Sequence, residues 1–272
     1  MAERWPERLF IVRHGESAGN VARDLAQQQN LLRIDVTGRD VDVPLSPLGE
    51  RQSRALGHWF AGLPENERPE VVLCSPYLRA RHTAELIAAE GRLCRAETCF
   101  FVDERLREKE FGVLDRLTRR GIAELLPEQA EHRAILGKFY HRPPGGESWC
   151  DVILRLRSAL DTVSLHHAGK RVLIVGHQVV VLCLRYLIEA MTEEEILRID
   201  READVANCSV TEYALEGAAN GAERPFAPGA VAWGRVGPQD GHLVLKRYNF
   251  TAPLEIEGAP VTTRPDAIVA AR

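Results

Sequence analysis

Short apolar runs separated by amphipathic stretches set the frame of the chain. Leu9-Phe10-Ile11-Val12, Val71-Val72-Leu73-Cys74 and Val172-Leu173-Ile174-Val175 are apolar at every position. Their brevity and β-branched content predict strands buried on both faces rather than helices. Thr98 to Val102, rich in Phe, predicts another strand, and Val210 to Leu215 and His242 to Tyr248 predict two later ones, an antiparallel pair at the sheet edge. Between these runs the pattern turns helical. Ser46-Pro47 supplies an N-cap and a first-turn proline, after which Leu48, Leu56, Trp59 and Leu63 share one face. Ser75-Pro76 repeats the device before a helix that continues through Ala84 to Ala89 and stops at Gly91, and Glu147 to Leu165 and Val179 to Ala190 predict two more. Alternation of this kind implies an α/β fold, a three-layer α/β/α sandwich around a mostly parallel central sheet.

Three stretches depart from the alternation. Arg23 to Pro44 reads as a polar insert after the first strand. Arg105 to Pro144 holds helical patterns and Pro/Gly breaks, and is expected to form a cap over the sheet. Glu216 to Gly241 carries six glycines and three prolines in 26 residues, the composition of a long loop. The expected organisation is a single domain over 1–250 with inserts at about 23–44 and 105–144. An extended C-terminal tail over 251–272, marked by Pro253, Pro260 and Pro265, follows it.

Composition narrows the function. With 35 Lys+Arg against 39 Asp+Glu the net charge is −4 in 272 residues, and the pI is near 6.2. This argues against a nucleic-acid binder that relies on a broad basic surface, and any anionic ligand must be held by a local cluster of positive groups. The longest apolar stretch, Val179 to Ile188, is interrupted by Arg185 and is far shorter than the roughly 20 residues a membrane span needs. No apolar run of signal-peptide length precedes the first strand. The six cysteines include no CxxC pair, and Cys74 and Cys183 sit in apolar runs, which argues against a disulfide scaffold. The expected location is the cytoplasm. The expected partner is a small phosphorylated substrate, with no nucleic acid and no membrane, and a homodimer is compatible with this reading.

Three strand ends carry the chemistry. The first strand closes in Arg13-His14-Gly15-Glu16-Ser17, with Asn20 close behind. A histidine just past the carboxyl end of a parallel strand lies where open α/β sheets bind ligands, and an arginine beside it offers a fixed fork for phosphate. Taken alone, the segment reads equally well as a loop histidine beside a solvated arginine. After the second strand, Arg79 lies about a turn into a helix whose N-terminus favours anions. After the fourth, Gly176-His177-Gln178 again sets a histidine between strand and helix. Two histidines and two arginines at one sheet edge have no packing role, and burying them together is costly unless an anion balances them. A metal site is disfavoured, because the arginines would repel a cation and no carboxylate adjoins either histidine.

These segments resemble the histidine phosphatase superfamily, which includes cofactor-dependent phosphoglycerate mutases and fructose-bisphosphate phosphatases. Arg13-His14-Gly15-Glu16-Ser17 matches the nucleophile motif, Arg79-Ala80 with Thr83-Ala84 the second-arginine motif, and Gly176-His177 the second histidine. The likeness covers most of residues 8 to 215 in the expected order and implies the phosphoglycerate mutase-like fold. It implies that His14 is the nucleophile and that Arg13, Arg79 and His177 hold the phosphoryl oxygens, with Asn20 and Gln178 as further substrate contacts. It implies no cofactor and no metal. Leu106-Arg107-Glu108 resembles the acid motif, so Glu108 is the expected general acid; other members place an Asp where this chain has Gln178. Pro143-Pro144-Gly145-Gly146-Glu147-Ser148 resembles a family turn before a helix, and with Phe139-Tyr140-His141-Arg142 it leans to the phosphatase-like branch. Its expected role is helix capping, with His141 and Arg142 within reach of a second anionic group. Arg116 stands where a glycine is common, so a substrate cannot be carried over by analogy. The expected function is phosphomonoester hydrolysis. A mutase-type phosphoryl transferase and a non-catalytic phospho-ligand binder are the alternatives.

Overall fold

The computed structural model describes residues 5–94, 99–217 and 241–263. Strands β1 (Arg8–Arg13), β2 (Val71–Cys74), β3 (Phe100–Val102), β4 (Arg171–Gly176), β5 (Val210–Glu216) and β6 (His242–Phe250) form one sheet in the order β3-β2-β4-β1-β5-β6. Neighbours from β3 to β1 are parallel, and β5 and β6 add as an antiparallel edge pair. The all-apolar runs are therefore central and the edge pair lies where the sequence puts it.

Helices cover both faces of the sheet. Side chains alternate across a strand, and the alternation sorts the core into two clusters. Leu9, Ile11, Leu73, Val172 and Ile174 pack with helices α6 (Trp149–His166) and α7 (Gln178–Ile188). Phe10, Val12, Val72, Cys74, Leu173 and Val175 pack with α2 (Pro47–Gly62) and α3 (Leu78–Gly91) on the other face. The fold is the three-layer α/β/α sandwich expected.

Several boundaries differ from the sequence reading. Helix α1 (Ala18–Gln28) takes up the beginning of the stretch read as a polar insert, because Ser17 caps it in a reciprocal box with Asn20. Ser75 does not cap α3; the cap position is Tyr77, and Arg92, in the left-handed region at φ 53°, ends the helix. The tail is not wholly extended. Residues Ala252–Ile256 form a short helix, α9, whose Leu254 is wholly buried against α2 and α3. The rest of the tail from residue 264, and most of the expected long loop at 218–240, lie outside the described residues. Cys94 and Cys99, five residues apart, pair as a local disulfide, a link rather than a scaffold.

The 105–144 region folds as α4 (Arg119–Leu125) and α5 (Pro127–Tyr140), with a small apolar cluster of its own around Leu114, Leu117 and Ile122. It is joined to the insert by a bridge from Leu117 to Arg33, and Gly121 packs directly on the Leu32 carbonyl, where a Cβ would lie 1.9 Å from the oxygen. Cap and insert therefore meet above the carboxyl end of the sheet. α8 (Glu193–Glu202) packs on α7 outside the sheet.

Candidate active site

Strand register brings the site together. Arg13 pairs with Gly176 and Cys74 with Val175, so β1, β2 and β4 end level with one another. The residues that follow, His14, Ser75 and His177, are then neighbours. The His14 N–H donates to the Gly176 carbonyl at 2.9 Å and the Ser75 N–H to that of Val175 at 3.0 Å. The rings of His14 and His177 stand 5.1 Å apart, edge to face, and both side chains are wholly buried.

His14 is held in one orientation. Its Nδ1 lies 2.6 Å from the Gly15 carbonyl oxygen. A carbonyl can only accept, so the proton sits on Nδ1 and the lone pair on Nε2. The turn that follows packs backbone to backbone on the start of α2: a Cβ on Gly15 would lie 2.5 Å from the Gly49 carbonyl oxygen. The Gly15 N–H donates to Thr83 Oγ1 at 3.0 Å, which ties the turn to α3. Arg13 is wholly buried and donates from Nη1 to the Val205 carbonyl.

His177 Nε2 is 2.8 Å from Ser75 Oγ, and its Nδ1 is 3.6 Å from Glu108 Oε2. Glu108 is buried, its Oε1 accepting the Lys109 N–H at 2.7 Å. The loop that carries it is fixed by Glu147, which bonds Arg107 at 2.8 Å, Arg155 at 2.9 Å and the Glu110 N–H at 3.0 Å. Burial would raise the Glu147 pKa, but the Arg155 bond and charge, with the Glu110 amide and Arg107, hold it below the usual carboxylate range. Glu147 therefore does not cap α6. Ser148 does, in a box with Asp151. Tyr77 closes the far side, its ring 5.2 Å from that of His177 and its hydroxyl donating to Glu110 at 2.9 Å.

Arg79 is buried on the first turn of α3 and is gripped by Asp40 of the insert. Nη1 donates to the Asp40 carbonyl at 2.8 Å and to Oδ1 at 3.1 Å, and Nη2 to Oδ2 at 3.0 Å. A cleft of about 530 Å³, its mouth included, opens beside this pair. Asn20, Arg23, Arg79, Glu108, Asp115 and Arg116 are among its polar lining, and Ile34, Val36, Val43 and Phe111 among its apolar lining. Arg116, at φ 58°, bonds the Val36 and Gly38 carbonyls and so secures the insert loop as a cleft wall. Burial and the neighbouring Asp40 raise the Asp115 pKa.

The structure brings His14, His177 and Glu108 together at the carboxyl ends of β1 and β4; Arg79 and Glu108 line the cleft, whereas Arg13, His14 and His177 are not among its lining residues. Asn20 reaches the cleft, though its Oδ1 also caps α1 by accepting from Ser17. Gln178 does not line the cleft; its amide donates to Asp204 at 2.8 Å. Arg142 is exposed and pairs with Asp151, whereas His141 is buried. Sequence reasoning missed Ser75 as a partner of His177, and Asp40 and Arg155 entirely. Among the described residues no three His, Cys, Asp or Glu side chains gather as a metal would require, and no helix is long and apolar enough to cross a membrane.

The chain resembles known proteins in both sequence and fold. Residues 9–225 match the model of the histidine phosphatase superfamily (branch 1). A Photorhabdus laumondii protein named "Probable phosphoglycerate mutase GpmB" is 31% identical over 206 residues, 75% of this chain and 83% of the relative. Among solved structures, mycobacterial glucosyl-3-phosphoglycerate phosphatase superposes with a TM-score of 0.62 at 21% identity, covering 90% of this chain and 99% of the other. The alpha-ribazole phosphatase from Shigella flexneri gives 0.59 at 23% identity, covering 77% and 91%. At such identities the two structures speak for the fold alone.

Proposed function

We propose that this chain, which belongs to the histidine phosphatase superfamily, is a phosphomonoester hydrolase that works through a phosphohistidine on His14. The observation that supports the reading is the contact of His14 Nδ1 with the Gly15 carbonyl, since a proton held there leaves the lone pair for attack on Nε2, with the His177 ring 5.1 Å away. In the first half-reaction Nε2 attacks phosphorus, the bond from phosphorus to the ester oxygen breaks, and Glu108 passes its proton to the departing oxygen. In the second, a water gives its proton to the Glu108 carboxylate and attacks phosphorus, and the P–N bond breaks to return the lone pair to Nε2. Arg13, Arg79 and His177 bind the non-bridging oxygens, each charge-assisted bond contributing roughly 1.5–3 kcal/mol. These groups supply the positive charge that metal ions supply in other phosphoryl-transfer sites, so a chelator is expected to leave turnover unchanged.

The relative named as a phosphoglycerate mutase favours a second reading, transfer of the phosphoryl group back to substrate rather than to water. One comparison separates the two: phosphate release from 3-phosphoglycerate and other monoesters against isomerisation to 2-phosphoglycerate, with a bisphosphate primer and chelator present. Release is expected to exceed isomerisation, and quenched reactions with labelled substrate are expected to trap acid-labile phosphate that His14→Ala lacks. Isomerisation outrunning release makes the chain a mutase, and label retained in His14→Ala removes the nucleophile.

A further inference from the structure

The C-terminal segment is bonded to groups that hold the backbone of the nucleophile turn. After α9 the Ala259 N–H donates to the Leu254 carbonyl at 2.8 Å, and the chain runs on to Thr262. There it meets two wholly buried amides, Gln52 on α2 and Asn207 just before β5. Each amide touches the turn after β1 with one end and the C-terminal segment with the other. Gln52 Oε1 accepts the Glu16 N–H at 2.9 Å, while its Nε2 donates to the Pro260 carbonyl at 2.8 Å and to Thr262 Oγ1 at 3.0 Å. Asn207 Nδ2 donates to the His14 carbonyl at 3.0 Å, while its Oδ1 accepts the Thr262 hydroxyl at 3.0 Å. The Asn207 N–H also donates to the Thr262 carbonyl at 2.9 Å.

The direction of each bond follows from the groups themselves. The His14 and Pro260 carbonyls can only accept and the Glu16 N–H can only donate, so neither amide can be turned over. The Thr262 hydroxyl therefore accepts from Gln52 and donates to Asn207, closing both amides with one group. What they hold is the orientation of the nucleophile. A peptide group is planar, so the Glu16 N–H gripped by Gln52 and the Gly15 carbonyl that fixes His14 Nδ1 turn as one unit. The preceding peptide is held in the same way, its His14 carbonyl by Asn207 and its Gly15 N–H by Thr83. We propose that Thr262 is a positioning residue: through Gln52 and Asn207 it fixes the two peptide groups after His14, and with them the tautomer and aim of the ring. This rests on His14 being the nucleophile of the proposed reaction, and adds to that reaction a segment beyond the last strand. Removing the hydroxyl leaves Asn207 Oδ1 a buried acceptor short of a donor and loosens both amides.

The test is made on the full chain with Thr262→Val, which keeps the shape and removes the hydroxyl, and Thr262→Ser, which keeps the hydroxyl. Single-turnover formation of phosphohistidine from p-nitrophenyl phosphate is expected to slow by about tenfold in Thr262→Val. The inhibition constant for inorganic phosphate should not change, because the groups that bind phosphate are untouched. Thr262→Ser is expected to keep the wild-type rate, as is Thr263→Val at the exposed residue that follows. The ¹⁵N spectrum of His14 in the resting protein should show the proton on Nδ1 in the wild type and a larger share on Nε2 in Thr262→Val. A loss of rate shared by Thr262→Ser, or a change in phosphate inhibition without a change in rate, overturns the assignment. So does a lower Tm in Thr262→Val with rate and spectrum unchanged, which is what a structural role alone would give. Should Thr262→Val not fold, Thr262→Ala takes its place; failure of both to fold beside a sound Thr262→Ser makes the hydroxyl a stabilising group and overturns the proposal. If the wild type traps no phosphate, the hydrolase reading has failed, and the His14 spectrum alone decides on Thr262.

Discussion

Glu108 shows how a single side chain acquires a role from its surroundings. It is buried against His177 at one oxygen and held by the Lys109 amide at the other, while Glu110, two residues on, accepts from Tyr77. Only Glu108 of the two lines the cleft. A general acid matters in proportion to how badly the leaving group needs a proton, and contributes about 10²–10⁴ in rate where it is needed. Glu108→Gln is therefore expected to lose that factor with an alkyl phosphate and much less with p-nitrophenyl phosphate, whose leaving group departs as the anion. Steady-state rates on the two substrates decide it. Equal losses would mean that Glu108 positions the phosphoryl group rather than protonating the leaving oxygen. The residue types of this site were legible in the sequence because the chemistry needs them next to strand ends. Ser75 was not, because a serine before a proline reads first as a helix cap; here its hydroxyl faces His177 instead.

At the scale of elements, the sheet was read from its apolar runs, which have few alternatives at four to six residues. Helices were harder wherever their starts lie in polar sequence. α1 is capped by Ser17, within the Arg13–Ser17 segment, and α8 by Thr192, in a capping box with Glu195. The insert is the element whose consequence was least visible, because pairing Asp40 with Arg79 needs a contact across 39 residues. Asp40 accepts two bonds from Nη1 and one from Nη2 of Arg79, which fixes the plane of the guanidinium. An arginine aligned this way loses less entropy on binding phosphate. Asp40→Ala is expected to raise KM and the inhibition constant for inorganic phosphate by about tenfold, a little over 1 kcal/mol. Asp40→Glu should recover part of the loss. Tighter phosphate inhibition in Asp40→Ala would instead make Asp40 a competitor for the arginine, an internal carboxylate that substrate must displace.

For the whole molecule, a net charge of −4 coexists with a buried lysine beside Glu108, and stability is where the two meet. The Lys109 pKa falls from 10.5 to about 8, chiefly through burial, with Arg133 and Lys138 adding repulsion and Glu108 and Glu147 opposing it. Burial lowers the His141 pKa, and Arg133, Lys109 and His132 lower it further. A lysine whose folded pKa lies below its unfolded value binds fewer protons in the native state between the two. Stability therefore rises with pH from about 8 to 10.5, and below 8 the full penalty applies. A shift of this size corresponds to about 3 kcal/mol, and for a chain of this length to a change of several degrees in Tm. Lys109→Met is expected to melt higher than the wild type at pH 7, with the gap closing as pH rises through that window. Comparing the two proteins at each pH removes the contribution of every other titrating group. A variant that melts lower at pH 7, or a gap that does not change with pH, would mean that the ammonium is well accommodated in the fold.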